Sequence, residues 1–294
     1  MRIHRIQTGR VRVKTNQVSR APGFAPALVK VLLGREWSQW LPIHAWVIEH
    51  PEGVIVVDTG ETARVSEAGY FPAWQPYYKL AVELDVQPEV EIGVRLTDLG
   101  IRPETDVRTV VMTHLHTDHA GGLHWFPNSE LLVHETEFAV AQGLAGKLAG
   151  YLPHRWPAWL SPTQVNPPGQ RFGPFPRSMP LTKDGRIQLV PTPGHTEGHM
   201  SVIAELGELY YFLAGDTSYN QDNLLRGLPD GIGTADTLPT LRRIQDFARA
   251  HPTVYLPSHD PDGATRLEQR QIVPLYEGDL PEEATDLGRD PAGG

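Results

Sequence analysis

The chain has no cysteine. That excludes disulfides, cysteine-based zinc fingers, iron–sulfur clusters and thiol nucleophiles together. Long apolar runs are missing too. No stretch approaches the ~18–20 residues of a membrane-spanning helix, and the N-terminus lacks an apolar run of signal-peptide length. The expectation is a soluble, cytoplasmic protein with no membrane partner. Basic charge is in deficit, with 26 Lys and Arg against 35 Asp and Glu and a formal net charge of −9. A chain so acidic is a poor general binder of nucleic acid, so none is expected as a partner. The imbalance is uneven. Arg2, Arg5, Arg10, Arg12, Lys14, Arg20, Lys30 and Arg35 precede the first acidic residue, Glu36, and acidic residues crowd the C-terminus. The basic start reads as the solvated face of a first strand. Residues 280–294 read as an acidic, flexible tail.

At 294 residues the chain suits one large domain or two smaller ones. With 28 Gly and 27 Pro it is rich in turns without being of low complexity. Short apolar runs alternate with helical patterns. Ile43–Glu49 and Val54–Asp58 flank His50-Pro51-Glu52-Gly53, a hairpin signal. Helical spacing appears over Pro88–Leu99 and His134–Leu144, and over Thr234–Ala250, where Leu238, Leu241, Ile244, Phe247 and Ala248 share a face. Strands are expected at Val107–Met112, Leu131–Val133, Arg186–Val190, Met200–Ala204, Leu209–Ala214 and Thr253–Leu256. Two segments, about 63–84 and 143–180, break this rhythm. The first holds Tyr70, Phe71, Trp74, Tyr77 and Tyr78; the second holds Tyr151, Trp156, Trp159, Phe172 and Phe175. Long aromatic segments of this kind serve as lids, substrate walls or interfaces, or plug small satellite cores.

The chemistry concentrates in Thr113-His114-Leu115-His116-Thr117-Asp118-His119-Ala120-Gly121-Gly122, directly after a buried strand. His114 and His116, two residues apart, project to one side of an extended segment. Neutral imidazoles and carboxylates are metal ligands, and close spacing lowers the cost of ordering them together. Three further signals follow later strands: Gly194-His195-Thr196-Glu197-Gly198-His199, Gly215-Asp216 and Ser258-His259. Strand ends are where open α/β sheets gather their sites. The candidate ligands are therefore His114, His116, Asp118, His119, His195, Asp216 and His259. Seven exceeds what one four-coordinate ion needs and suits two ions with a shared carboxylate.

His-x-His-x-Asp-His after a strand, then Gly-His, then Gly-Asp, then His, resembles the metallo-β-lactamase fold superfamily. Val57-Asp58-Thr59-Gly60 resembles its early Asp motif, and the resemblance runs from about Ile43 to Asp260. It implies an α/β fold, an αββα four-layer sandwich with the metal site at one edge of the two sheets. Residues 1–279 would form one domain, with the aromatic segments as insertions. It also implies two divalent metal ions per chain, zinc first, with iron, cobalt or manganese as alternatives. His114, His116 and His195 would hold one ion, and Asp118, His119 and His259 the other. Asp216 would bridge them, Asp58 would orient a ligand histidine from behind, and His199 would be structural. His124, His134 and His154 match no role.

Within the superfamily, Gly215-Asp216-Thr217-Ser218-Tyr219-Asn220 resembles the N-acyl-homoserine lactone lactonases. There a Tyr three residues after the bridging Asp meets the substrate carbonyl, the position of Tyr219. The resemblance implies a quorum-quenching lactonase that opens a small lactone by a metal-bridging hydroxide. Tyr219 would polarise the carbonyl and Asp118 would carry the proton to the leaving oxygen. The alternative is a glyoxalase II-like thioesterase or a phosphoesterase on the same site, although only Arg266, Arg270 and Arg289 follow His259 as bases. A homodimer built on the aromatic segments is left open.

Overall fold

Strand Leu41–His50 shows how the layers are built. Its side chains alternate between two cores: Ala45 and Val47 face one, Trp46 and Ile48 the other, and all four are fully buried. A strand buried on both faces must lie between two covering layers. Sliding it by one residue would exchange the two sets, so its register is strongly specified.

The structure, a computed structural model, describes residues 1–20 and 27–279. The acidic tail expected over 280–294 lies outside them. Twelve strands are described: β1 (Arg2–Val13), β2 (Leu41–His50), β3 (Gly53–Val57), β4 (Val82–Asp85), β5 (Val107–Val111), β6 (Glu130–His134), β7 (Thr163–Val165), β8 (Met179–Pro180), β9 (Ile187–Pro191), β10 (Met200–Leu206), β11 (Leu209–Gly215) and β12 (Thr253–Pro257). They form a seven-stranded sheet in the order β4-β1-β2-β3-β5-β6-β7 and a five-stranded sheet in the order β12-β11-β10-β9-β8. In the first sheet β3, β5, β6 and β7 run parallel. In the second, β11 and β12 do.

Between the sheets, Trp46, Ile48, Ile55, Val57 and Val111 meet Leu189, Val202, Tyr211, Leu213 and Val254. On the outer face of the first sheet, Ile92 and Leu96 of the helix Ile92–Asp98 cover Val47, Val56 and Val110. On the outer face of the second, Leu241, Ile244, Phe247 and Ala248 of the helix Thr237–Ala250 cover Ile203, Phe212 and Tyr255. The result is helix, sheet, sheet, helix, as the family resemblance implies. Each fully buried aliphatic side chain contributes roughly 1.5–3 kcal/mol over exposure.

One helix face differs from expectation. Leu238 is 40% exposed, while Thr237 and Thr240 point inward. The first turn of that helix rests on the polar loop after β9 rather than on the core. Thr240 donates to the Pro193 carbonyl at 2.5 Å, and Thr234 N–H donates to the Gly194 carbonyl at 2.7 Å.

Of the basic start, Arg2, Arg5, Arg10 and Arg12 lie in β1, whereas Lys14 is buried, Lys30 lies in the helix Ala27–Leu33 and Arg20 and Arg35 lie outside the strand. Arg10 and Arg12 pair with Asp85 and Glu83 on β4 and lie over Trp37 and Trp40. The two aromatic segments are more regular than loops. Residues 63–84 include the helix Tyr77–Leu80 and supply β4, one edge of the first sheet. Residues 143–180 include the helix Leu144–Ala149 and supply β7, its other edge, and β8, an edge of the second.

Candidate metal centre and cavity

The C-terminal ends of β3, β5, β9, β11 and β12 meet at one edge of the sandwich. Each delivers a polar side chain there: Asp58, His114, His195, Asp216 and His259. Backbone hydrogen bonds tie the two sheets at this edge. His44 N–H donates to the Ser258 carbonyl, and Ser258 N–H to the Gly215 carbonyl. Asp58 adopts a left-handed backbone with φ of 60°, an uncommon conformation that Asp tolerates better than most residues. Gly215 has φ of 55°, and a Cβ there would lie 2.6 Å from His199 Nε2. Gly198 allows a close approach of another kind, because a Cβ on it would meet the Glu137 backbone at 2.4 Å.

The candidate ligands come together as three groups: His114 with His116 and His195; His114 with His119 and Asp216; and Asp118 with His119 and His259. Within each group the ligand atoms lie within 4.8 Å of one another. Asp216 stands 3.4 Å from His119 Nε2, 3.5 Å from His195 Nε2 and 3.3 Å from His259 Nε2. His116 Nδ1 and His195 Nε2 are 3.0 Å apart, and His259 Nε2 is 3.4 Å from Asp118. Two atoms each ~2.0–2.1 Å from one tetrahedral ion stand about 3.3 Å apart. The spacing is that of a coordination shell.

The rings are aimed by what holds their other nitrogens. His119 Nδ1 bonds Asp58 at 2.8 Å, His195 Nδ1 bonds Asp230 at 2.5 Å, His259 Nδ1 bonds the Pro42 carbonyl at 2.9 Å and His114 Nδ1 bonds Thr113 at 3.1 Å. Each leaves Nε2 turned to the centre, the usual way a protein fixes tautomer and ring orientation at a metal site. Asp58 is held in turn by Thr113, whose N–H and hydroxyl each donate to it at 2.8 Å. His199 also sits behind the centre. Its Nε2 accepts from Asp216 N–H at 3.1 Å and its Nδ1 bonds Thr192 at 2.9 Å.

The donor set fits divalent cations. His114 Nε2, His119 Nε2 and Asp216 Oδ1 are buried with no hydrogen-bond partner among the described residues. Each such group costs ~1–3 kcal/mol if left unmatched. Burial holds His114 well below the ordinary imidazole range and His116 at about 3, so both keep a free lone pair. Burial opposes charge on His119 and His259 as well. There Asp216, with Asp58 and Asp118, outweighs it, raising His119 well above its ordinary value and His259 to about 10. The carboxylates thus draw positive charge into the centre.

The ligands open onto a cavity of about 270 Å³ whose far wall is largely apolar, with Val11, Val13, Val82 and Leu148 on it. Tyr219 lines it, buried, its ring stacked on His259 with centroids 5.5 Å apart. Burial, then the nearby Tyr77, Asp216 and Asp230, push its phenol well above the ordinary range, so it stays a proton-bearing donor. Of the aromatic segments, Tyr77, Tyr78 and Tyr151 line this cavity, while Tyr70 and Trp156 line a neighbouring one. Phe172 and Phe175 pack in the core under the helix Thr237–Ala250, and Trp74 and Trp159 are exposed.

Three residues of the site escape sequence reading: Asp230, Glu137 and Gln17. Glu137, buried in the helix Glu135–Gln142, accepts from Leu115 N–H, the Tyr151 hydroxyl and the Thr196 hydroxyl at 2.7–2.9 Å. It thereby clamps both loops that carry His114, His116 and His195. None of the three lies in a motif. The one hint is Gly198, whose missing side chain admits the Glu137 backbone.

Comparison with known proteins places the chain. A family model described as the metallo-beta-lactamase superfamily matches residues 38–259. An N-acyl homoserine lactonase, AttM of Rhizobium radiobacter, is 26% identical over 274 residues, covering 89% of this chain and 94% of that protein. An N-acyl homoserine lactonase from a Bacillus species is 28% identical over 228 residues, 75% of this chain and 82% of that protein. Among solved structures, a mutant of B. thuringiensis AiiA with N-decanoyl-L-homoserine bound at its active site aligns with a TM-score of 0.72 at 22% identity. It covers 90% of this chain and 94% of that one. The matched region takes in every strand from β2 to β12 and all seven candidate ligands, and the chain belongs to the metallo-β-lactamase superfamily.

Proposed function

We propose that the protein is a metal-dependent hydrolase that opens the lactone ring of N-acyl homoserine lactones, using two divalent ions, zinc in the first instance. One observation carries the reading: a three-histidine group and an Asp118–His119–His259 group, with Asp216 within 3.5 Å of members of both, share with Tyr219 one cavity that has an apolar wall. Relatives of similar length named as N-acyl homoserine lactonases support it. In this reading His114, His116 and His195 would hold one ion, Asp118, His119 and His259 the other, and Asp216 would serve both. When bound, such a pair supplies Lewis acidity and brings the pKa of water toward ~7.

The residues do the rest. The Tyr219 hydroxyl donates to the lactone carbonyl and stabilises the oxyanion, a role worth ~2.7–4 kcal/mol per donor. Asp118 and Asp216 both line the cavity, and Asp118, its side chain 19% exposed against 6%, is the more open of the two. It takes the proton released by the attacking water and passes it to the ring oxygen as the ester bond breaks. The product is the ring-opened hydroxy acid. Val13, Val82 and Leu148 hold the acyl chain away from water. Residues 1–279 act as one unit, a reading supported by the way both aromatic segments supply sheet edges.

The test is acid release from N-hexanoyl homoserine lactone, S-lactoylglutathione and an aryl phosphoester, with metal analysis of the same protein. Lactone opening that a chelator abolishes, with two ions per chain, is expected. Intact lactone beside a cleaved thioester or phosphoester would overturn the assignment.

A further inference from the structure

We propose that Gln17 is a specificity-determining residue that recognises the acyl amide of the substrate, its side-chain carbonyl accepting the amide N–H beside the lactone ring. The proposal rests on the N-acyl homoserine lactone reading and adds to it a residue outside every motif.

Gln17 lies in the four-residue helix Thr15–Val18, is 3% exposed and lines the cavity. Its Nε2 donates to the Tyr77 hydroxyl at 2.7 Å and to the Tyr219 hydroxyl at 2.9 Å. Both hydrogens of the carboxamide are then in use. Each phenol accepts from Gln17, which leaves its own O–H free to donate elsewhere. That is the state Tyr219 needs to meet a substrate carbonyl.

The other end of the carboxamide is unmatched. Gln17 Oε1 is buried and has no hydrogen-bond partner among the described residues. A buried amide oxygen without a donor is unfavourable, and a ligand N–H arriving in the cavity would relieve it. In an acyl homoserine lactone the amide nitrogen sits on the ring carbon next to the carbonyl. Gln17 Oε1 belongs to the same carboxamide whose nitrogen bonds the Tyr219 phenol, so carbonyl and N–H can be met side by side.

The group is also held in place. Gln17 N–H donates to the Lys14 carbonyl, and its own carbonyl accepts from Gly231 N–H, both at 2.8 Å. Gly231 follows Asp230, the carboxylate that orients His195. Arg20 donates to the Asp230 carbonyl at 3.1 Å. The helix Thr15–Val18 is therefore anchored to the loop that supports the metal centre, and amide recognition is in register with it.

The experiment measures kcat and KM on three substrates: N-hexanoyl homoserine lactone, its N-methylated counterpart, and an α-alkyl-γ-butyrolactone of equal chain length without an amide. Wild type is compared with Gln17→Met and Gln17→Glu, with metal content and circular dichroism recorded for each. Wild type should lose at least about tenfold in kcat/KM on N-methylation, mostly through KM. Gln17→Met should treat the parent and N-methyl substrates alike. Gln17→Glu keeps an acceptor oxygen but accepts from the Tyr219 phenol where Gln17 donates to it, so it should lose kcat on all three substrates while keeping the extra penalty on the N-methyl one. Equal losses on all three substrates in Gln17→Met would overturn the proposal, leaving Gln17 as a support for Tyr219 only. So would a wild type indifferent to N-methylation, whatever the variants do. Opening of the amide-free lactone with no preference for the acyl amide would refute the proposal and leave lactone hydrolysis standing. Opening of none of the three would remove both together.

Discussion

The two walls of the cavity are built on opposite plans. The ligand wall draws His114, His116, Asp118 and His119 from six consecutive residues, and fixes ring after ring by a partner on the outer nitrogen. The rest of the lining draws Val13, Gln17, Tyr77, Leu148 and Tyr219 from separate segments, joined by a carboxamide that donates to two phenols and by apolar contact. Clustered charge is costly to order and desolvate, so it is placed where the chain itself keeps the ligands close. Substrate shape needs no such economy, and a wall can be gathered from wherever the fold brings side chains.

The largest effect expected on this contrast is at its shared carboxylate. Asp216→Asn should abolish binding of both ions and lower kcat/KM by roughly a thousandfold or more, since it leaves His119, His195 and His259 without their common partner. Metal analysis of the purified variant checks it; a full complement of two ions would break the bridging assignment. Next comes the rest of the lining. Tyr219→Phe should lower kcat about a hundredfold while metal content stays unchanged, because it removes a donor and no ligand. A loss of metal there would mean the two walls are not separable. Asp230→Asn tests the support behind the ligands and should weaken metal binding by ~10–100-fold, read by competition with a chelator.

The smallest effect falls outside both walls. Glu91 accepts from Ala63 N–H, the Thr62 hydroxyl and the Trp125 indole at 2.8–3.0 Å, and faces His124. Burial opposes its ionisation, but His124 and these donors outweigh it and hold the carboxyl down to about 2. Its folded value lies below the unfolded value of ~4.3, so its stabilisation is present above that range and lost as pH falls toward 2. Glu91→Gln should cost about 1–2 kcal/mol at pH 7 by denaturant unfolding, a gap that closes between about pH 5 and 2, with kcat unaffected.

Much of this was legible beforehand. The hairpin of β2 and β3, the strand before Thr113 and the strand ends at Asp216 and His259 follow from β-branched runs stopped by polar or glycine residues. Leu238 was misplaced because periodicity cannot tell a core from a polar loop beneath a helix, and Thr237 and Thr240 took the inward positions. Phe175 looked like its neighbours in the aromatic segment, yet it packs against Phe212 and Phe247, on the outer face of the second sheet. Aromatic content alone carries no address.

Ligand types, their local spacing and the family are written in the amino-acid order, because metal chemistry restricts the donors and a short loop keeps them together. The roles of Asp230, Glu137 and Gln17 come from the packing instead. Each acts through hydrogen bonds that include long spans of chain, 59 residues between Glu137 and Thr196 and 202 between Gln17 and Tyr219. The bond from His195 to Asp230 spans 35. Such a contact leaves no periodic or local trace, since only the tertiary fold brings its ends together.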